Sequence, residues 1–148
     1  MSLWLASRPL VLASKSTARR AVLENAGVPV EIDAASIDER GIEANAGLSD
    51  PGAVAALLAR EKAKAVAARH PGAIVLGADQ TLALGERRFS KAPNRAQARE
   101  QIAALRGKTH ALHSAVTVIR DGTVACEHVD DAHLTMRAFS DSYLDAYL

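Results

Sequence analysis

The stretch Ala73-Ile-Val-Leu-Gly-Ala-Asp79-Gln80-Thr81 constrains the chain most. A short apolar run bounded by Pro71-Gly72 and Gly77 reads as a buried strand, because a helix needs more length and a 3.6-residue repeat. It sets one carboxylate, Asp79, at its end, behind Gly77 and Ala78, two residues too small to cover it. In open α/β sheets ligands gather at the carboxyl ends of strands. An acid there is a candidate base or metal ligand, and equally a cap for the turn that follows.

The surrounding pattern alternates strands and helices without a regular βαβ series. Pro9 to Ala13 reads as a first buried strand. Ser14-Lys15-Ser16-Thr17 then leads into a helix from Ala18 to Ala26, capped by Ser16 and stopped by Gly27 with Pro29. A strand feeding a helix N-terminus makes an anion site, since free backbone N–H groups and the dipole both favour negative charge. Arg19 and Arg20 lie in that first turn, where cations are disfavoured unless they share an anion or reach solvent. Ser14 and Ser16 are placed to donate hydroxyls to the same anion.

Val28 to Ile32 reads as an edge strand, 41–49 as loop, and Asp50-Pro51 as the start of a long helix to about His70. On that helix Lys62 follows Leu58 by four residues, the one basic position able to aim at a pocket. Thr81 to Leu84 and Arg87 to Phe89 flank Gly85-Glu86 as a hairpin, and Asn94 caps a helix to Leu105. Asp121-Gly122 joins two strands, Ala111 to Ile119 and Thr123 to Val129. Ala132 to Arg137 reads as a third strand, and Ser140-Asp141 opens a last short helix. The reading is a single α/β domain, 1–148, around a twisted, partly antiparallel sheet.

Composition narrows the function. Net charge is +1, which argues against a nucleic-acid polymer as partner. Residues 51–100 nevertheless hold nine Lys or Arg against four acids, a local basic cluster suited to a small anionic ligand. With 3% aromatics the core must be aliphatic. A lone Cys126, read as a small buried hydrophobe, gives no disulfide framework and points to a reducing cytoplasm. Met1 to Leu12 lacks a signal-peptide core, and no run reaches membrane-spanning length.

Several chemistries have no motif here: no P-loop, no G-x-G-x-x-G, no nucleophile elbow and no H-E-x-x-H. His110 and His113, three apart on a strand, point to opposite faces, against a zinc pair. What remains is Ser14, Ser16, Arg19, Glu39, Lys62, Asp79 and Lys91. Acids that hold Mg²⁺ through a few oxygens, with bases that neutralise a transferring group, suit metal-assisted chemistry on a phosphate ester.

Leu12-Ala-Ser14-Lys-Ser16-Thr-Ala-Arg19 with Leu23 and Gly27 resembles the Maf family. So do Asp38-Glu39, Ala59-Arg60-Glu61-Lys62-Ala63, Gly77-Ala78-Asp79-Gln80, Lys91, Leu105-x-Gly107-x-x-His110 and Leu134 to Asp141. The resemblance is collinear from Leu10 to Leu148. It implies the elongated mixed α/β fold of the inosine triphosphatase group, with a cleft between two lobes, and commonly a homodimer. The implied activity is metal-dependent hydrolysis of a nucleoside triphosphate to the monophosphate and pyrophosphate, using Mg²⁺ or Mn²⁺ and acting on modified or pyrimidine nucleotides, with a link to septum formation. By the same resemblance Asp79 is the proton acceptor, and Ser14 and Arg19 bind phosphate. Glu39 lies near the metal, and Lys62 and Lys91 contact the triphosphate.

The departures from the family pattern are local. Ala18 and Gln80 occupy positions tied to base selection; Gln80 leans toward the 7-methyl-GTP type, where the dTTP/UTP type has Thr. The usual Lys-Pro is Lys91-Ala92-Pro93. The family also continues with a Gly- and aromatic-containing block beyond residue 148, so uncovered sheet surface is expected, either as a dimer face or with reduced activity. The alternative is a catalytically weak nucleotide-binding protein linked to division control.

Overall fold

The computed structural model describes residues 4–148; the first three residues of the Met1 to Leu12 stretch, read as lacking a signal-peptide core, lie outside them. Among the described residues six strands form one sheet, in the order β2-β1-β3-β5-β6 with β4 paired to β3. β1 (Leu10–Leu12) runs parallel to β2 (Val30–Ile32) and to β3 (Ile74–Leu84). β4 (Arg87–Phe89), β5 (Thr109–Arg120) and β6 (Thr123–Thr135) are antiparallel to their neighbours. This is the mixed sheet expected, elongated by three long strands and flanked by helices.

α1 (Thr17–Asn25) follows β1, with the Ser16 hydroxyl accepting the Arg19 N–H as its cap. α3 (Pro51–Ala67) is capped by Asp50 and starts on proline, the residue whose missing N–H costs nothing at that position. Its buried stripe, Val54, Ala55, Leu58, Ala59, Ala63 and Val66, packs on β3 and β5. Small residues let helix and sheet approach closely: a Cβ on Gly77 of β3 would sit against the Ala59 carbonyl oxygen and 2.7 Å from the Ala63 Cβ. α4 (Arg95–Leu105) and α5 (Asp141–Tyr147) pack together and bury Leu105 and Leu144. The core is aliphatic, as its composition requires.

Four expectations are corrected. Residues 41–49 are not loop throughout: α2 (Glu39–Ala46) starts on the Asp38 cap and ends on Gly47, whose φ of 61° suits glycine. β3 does not end at Asp79 but runs on to Leu84, because β5 pairs with it from Ile74 to Ala83. The third strand is not separate; β6 is continuous to Thr135 across a bulge opposite Val118 and Ile119. Cys126 is exposed, since β6 is an edge strand with no buried residue. Of the two readings open for Arg20, the structure shows the solvated one: its exposed side chain pairs with Glu24 at 2.7 Å.

Candidate active site

β3 is paired on one side by β5 for almost its whole length, but its other side is interrupted. β1 pairs with it only as far as Leu76, and β4 pairs with it only from Leu82. Between them Gly77 to Thr81 has no strand partner on that side among the described residues. The expected strand end is therefore supplied by a neighbour: Asp79 sits just past the carboxyl end of β1, in the middle of its own strand. β1 stops there because Ser14 to Ser16 turns the chain into α1.

Alternation along β3 sends Asp79 and Thr81 to the face covered by α3, and Ala78 and Gln80 to the other. On the α3 face Lys62 Nζ donates to Asp79 Oδ1 at 2.7 Å and lies 3.0 Å from Glu39 Oε1. The Lys62 and Asp79 side chains are only 13% and 12% exposed, so neither charge is well hydrated. Burial pushes the Asp79 carboxyl above its ordinary range. The Lys62 ammonium opposes that rise, Glu39 adds to it, and Arg19 opposes it more weakly. Burial wins, and the result is a carboxylate more basic than a free one.

At the open edge Arg19 Nη1 donates to the Ala78 carbonyl at 3.1 Å and to Ser14 Oγ at 3.0 Å. Ser14 Oγ also accepts the Ser16 N–H at 3.2 Å, so its acceptor capacity is used and its hydroxyl proton is left to donate. Ser16 Oγ serves as the α1 cap.

Two cavities meet at Asp79 and Gln80. One, of 360 Å³, is lined by Glu39, Glu43, Leu58, Thr81, Phe89 and Ser90 with the cations Arg88 and Lys91. The second, of 320 Å³, is formed by Leu12, Ala18, Arg19, Val22 and Leu23 against Leu76, Ala78 and Ser114 to Val116. There Gln80 Nε2 donates to Ser114 Oγ at 2.9 Å. The structure thus gathers Glu39, Lys62, Asp79 and Lys91 on one side of β3. Ala18 and Gln80 lie on the other, and Ser14, Ser16 and Arg19 at the gap. Arg88 and Glu43 were not singled out from the sequence; they pair at 2.6 Å across a separation of 45 residues, and no local pattern signals that. A larger apolar cavity of 530 Å³ lies away from this chemistry, between α4 and α5.

Among the described residues no group of three or more His, Cys, Asp and Glu is placed to hold a metal. Glu39 and Asp79 do converge on one point, through Lys62. Mg²⁺ is commonly held by one or two carboxylates with the rest of its shell from water and substrate phosphates; here the Lys62 ammonium holds the point of convergence, and an ion arriving with its ligand has the carboxylate oxygens that Lys62 leaves unengaged.

A basic carboxylate held by lysine at a gap in a mixed sheet, beside a serine–arginine turn, defines a polar anion-handling site of the kind a hydrolase uses. The profile of the family described as Maf-like protein matches residues 9–148. Proteins named nucleoside triphosphate pyrophosphatase align with all or nearly all of the chain. The one from Rhodopseudomonas palustris strain BisB18 is 51% identical over 148 residues, 100% of this chain and 73% of that protein. The one from Bradyrhizobium diazoefficiens is 54% identical over the same shares. One from Paramagnetospirillum magneticum is 48% identical over 140 residues, 93% of this chain and 72% of that protein. Among solved structures, a HAM1 protein from Coxiella burnetii superposes with a TM-score of 0.51 at 15% identity, covering 84% of this chain and 70% of that one. This chain belongs to the Maf family.

In keeping with a compact α/β body, no helix among the described residues is long and apolar enough to cross a membrane.

Proposed function

We propose that this chain hydrolyses a nucleoside triphosphate to a nucleoside monophosphate and pyrophosphate, with the phosphate chain in the 360 Å³ cavity. The observation that carries the reading is the 2.7 Å Lys62–Asp79 contact at the open edge of β3, with Asp79 raised by burial. Lys62 engages Oδ1, so Oδ2 is the oxygen that takes a proton from water. That water attacks the α-phosphorus, the bond from the α-phosphorus to the bridging oxygen breaks, and pyrophosphate leaves. General-base help of this kind contributes about 10²–10⁴-fold.

Lys62 orients the base, and Lys91 neutralises charge building on the departing phosphates. Ser14 and Arg19 hold the phosphate nearest the gap through the hydroxyl proton and the guanidinium; Ser16 adds the N-terminus of α1. Glu39 with Asp79 would hold Mg²⁺ or Mn²⁺, and such an ion, when bound, supplies charge neutralisation at the phosphoryl oxygens. The mainly apolar cavity on the opposite face, carrying Ala18 and Gln80, suits a nucleobase, and Gln80 is the basis for preferring a 7-methyl-GTP type of substrate. A cytoplasmic homodimer with a link to septum formation belongs to the same reading, which the family membership supports.

The test is pyrophosphate release from a nucleotide panel with Mg²⁺ or Mn²⁺, using Asp79→Asn as the control. Release by the parent protein, reduced about 10²–10⁴-fold in kcat by the variant, is expected. A folded protein that releases pyrophosphate from no nucleotide sinks the reading. A nucleotide-dependent thermal shift without turnover would instead favour the catalytically weak binding protein.

A further inference from the structure

One cation of the phosphate cavity has no role so far. β4 pairs with β3 so that Arg88 stands opposite Ala83. Directly opposed residues of antiparallel strands share a face, and Ala83 alternates onto the face of Asp79 and Thr81. Arg88 is thus aimed at the proposed chemistry, and it lines the cavity with Lys91. Its Nη1 donates to Glu43 Oε2 at 2.6 Å, with the two side chains 34% and 28% exposed.

Glu43 comes from α2, one turn after Glu39, so the two acids lie on one helix face. α2 buries none of its residues. The two acids reach the body of the protein through two cations, Glu39 to Lys62 and Glu43 to Arg88. An ion pair this exposed contributes little to stability, which leaves its position over the cavity in need of another explanation. A guanidinium recognises carboxylate and phosphate oxygens with the same planar fork.

We infer that Arg88 is a substrate-binding residue that takes the outer phosphates of the nucleotide, and that Glu43 occupies it in their absence. The inference rests on the pyrophosphatase reading for the identity of the ligand, while the chemistry it names is a polyphosphate chain. Binding exchanges one anion for another at Arg88 and releases Glu43, and with it the outer turn of α2, from the cavity wall.

The experiment titrates inorganic tripolyphosphate by calorimetry and measures pyrophosphate release for the parent, Arg88→Ala, Arg88→Lys and Glu43→Gln. Loss of a charge-assisted contact predicts that Arg88→Ala weakens tripolyphosphate binding and raises KM by about 10–100-fold, with the loss falling in KM more than in kcat. Arg88→Lys restores part of it. Glu43→Gln, which removes the competing anion, tightens tripolyphosphate several-fold. If Arg88→Ala and Glu43→Gln lower Tm alike but keep parental KM and tripolyphosphate affinity, the pair is structural and the inference is overturned; a parent that binds no tripolyphosphate overturns it too. Arg88-dependent tripolyphosphate binding without turnover of any nucleotide would remove the hydrolytic reading and leave this site standing. Turnover with parental KM in Arg88→Ala does the reverse. Should Arg88→Ala not fold, the Lys and Gln variants carry the same comparison.

Discussion

Replacing Gly77 with alanine tests whether the spacing of α3 on β3 sets the site. The new Cβ would lie against the Ala59 carbonyl oxygen and 2.7 Å from the Ala63 Cβ and backbone nitrogen. Ordinary contact begins near 3.4 Å, so α3 must withdraw by at least about 0.7 Å at Ala63 and by more at Ala59. Lys62 lies between those two alanines, and its 2.7 Å bond to Asp79 would stretch past the usual hydrogen-bond range of about 2.7–3.2 Å. Overpacking of this kind costs about 1–3 kcal/mol. At roughly 2–4 °C per kcal/mol for a chain of this size, Tm falls by roughly 2–12 °C. Misplacement by about 1 Å near reacting groups costs on the order of 10²-fold in rate. Thermal melts and kcat/KM should therefore move together in Gly77→Ala. In Val66→Ala, a fully buried site one turn further along α3 that packs with Val11 and Val75, Tm should fall with most activity kept at assay temperature. If Gly77→Ala melts like the parent, or loses no more activity than a Val66→Ala protein of equal Tm, the spacing explanation is refuted.

Two further outcomes are expected. A double-mutant cycle of Lys62→Met and Asp79→Asn in urea should return a coupling of about 1–3 kcal/mol, since each partner is mostly buried and leaves the other uncompensated; additive single effects would deny that coupling. The Asp33 carboxyl is lowered from 3.8 to about 2, first by hydrogen bonds from Arg69 and then by His70. The unfolded chain takes up that proton before the folded one does, so the stabilisation is present above about pH 4 and is lost as pH falls through about 2. Tm measured across that window should fall less steeply in Asp33→Asn than in the parent, and parallel curves would count against the assignment.

What was legible in the sequence was local. Ser16, Asp50, Asn94 and Ser140 each announce a helix by a side chain that accepts a backbone N–H three residues on, and all four do so in the structure. Asp121-Gly122, with φ of 51° and 73°, is the hairpin its residues call for. α2 was missed because its eight residues carry a single large apolar side chain, Ile42, even though the Asp38 cap and Gly47 stop were present. β6 was divided because Asp130-Asp131 resembles a break; on an exposed edge, charge is what discourages further pairing, and the same exposure explains the misread Cys126. The Arg88–Glu43 pair, formed between a helix with no buried residue and a three-residue strand, had no signal short of the fold itself.

The gap along β3 joins these observations. β1 cannot extend past Leu12 without giving up the turn that positions Ser14 and Arg19. β4 covers β3 only from Leu82 to Leu84, because it ends at Phe89, three residues after the tight turn at Gly85-Glu86. The five residues between are held on one flank by β5 and left open on the other. At that opening two successive side chains face opposite ways, Asp79 among lysines and carboxylates, Gln80 among Leu12, Ala18 and Leu23. A triphosphate and a nucleobase need those opposite surroundings, and a continuous sheet would wall one off from the other. A ligand crossing the unpaired edge reaches both faces at once, which is why the adjacent pair Asp79-Gln80, rather than the end of a strand, is where charge handling and base choice come together in the proposed enzyme.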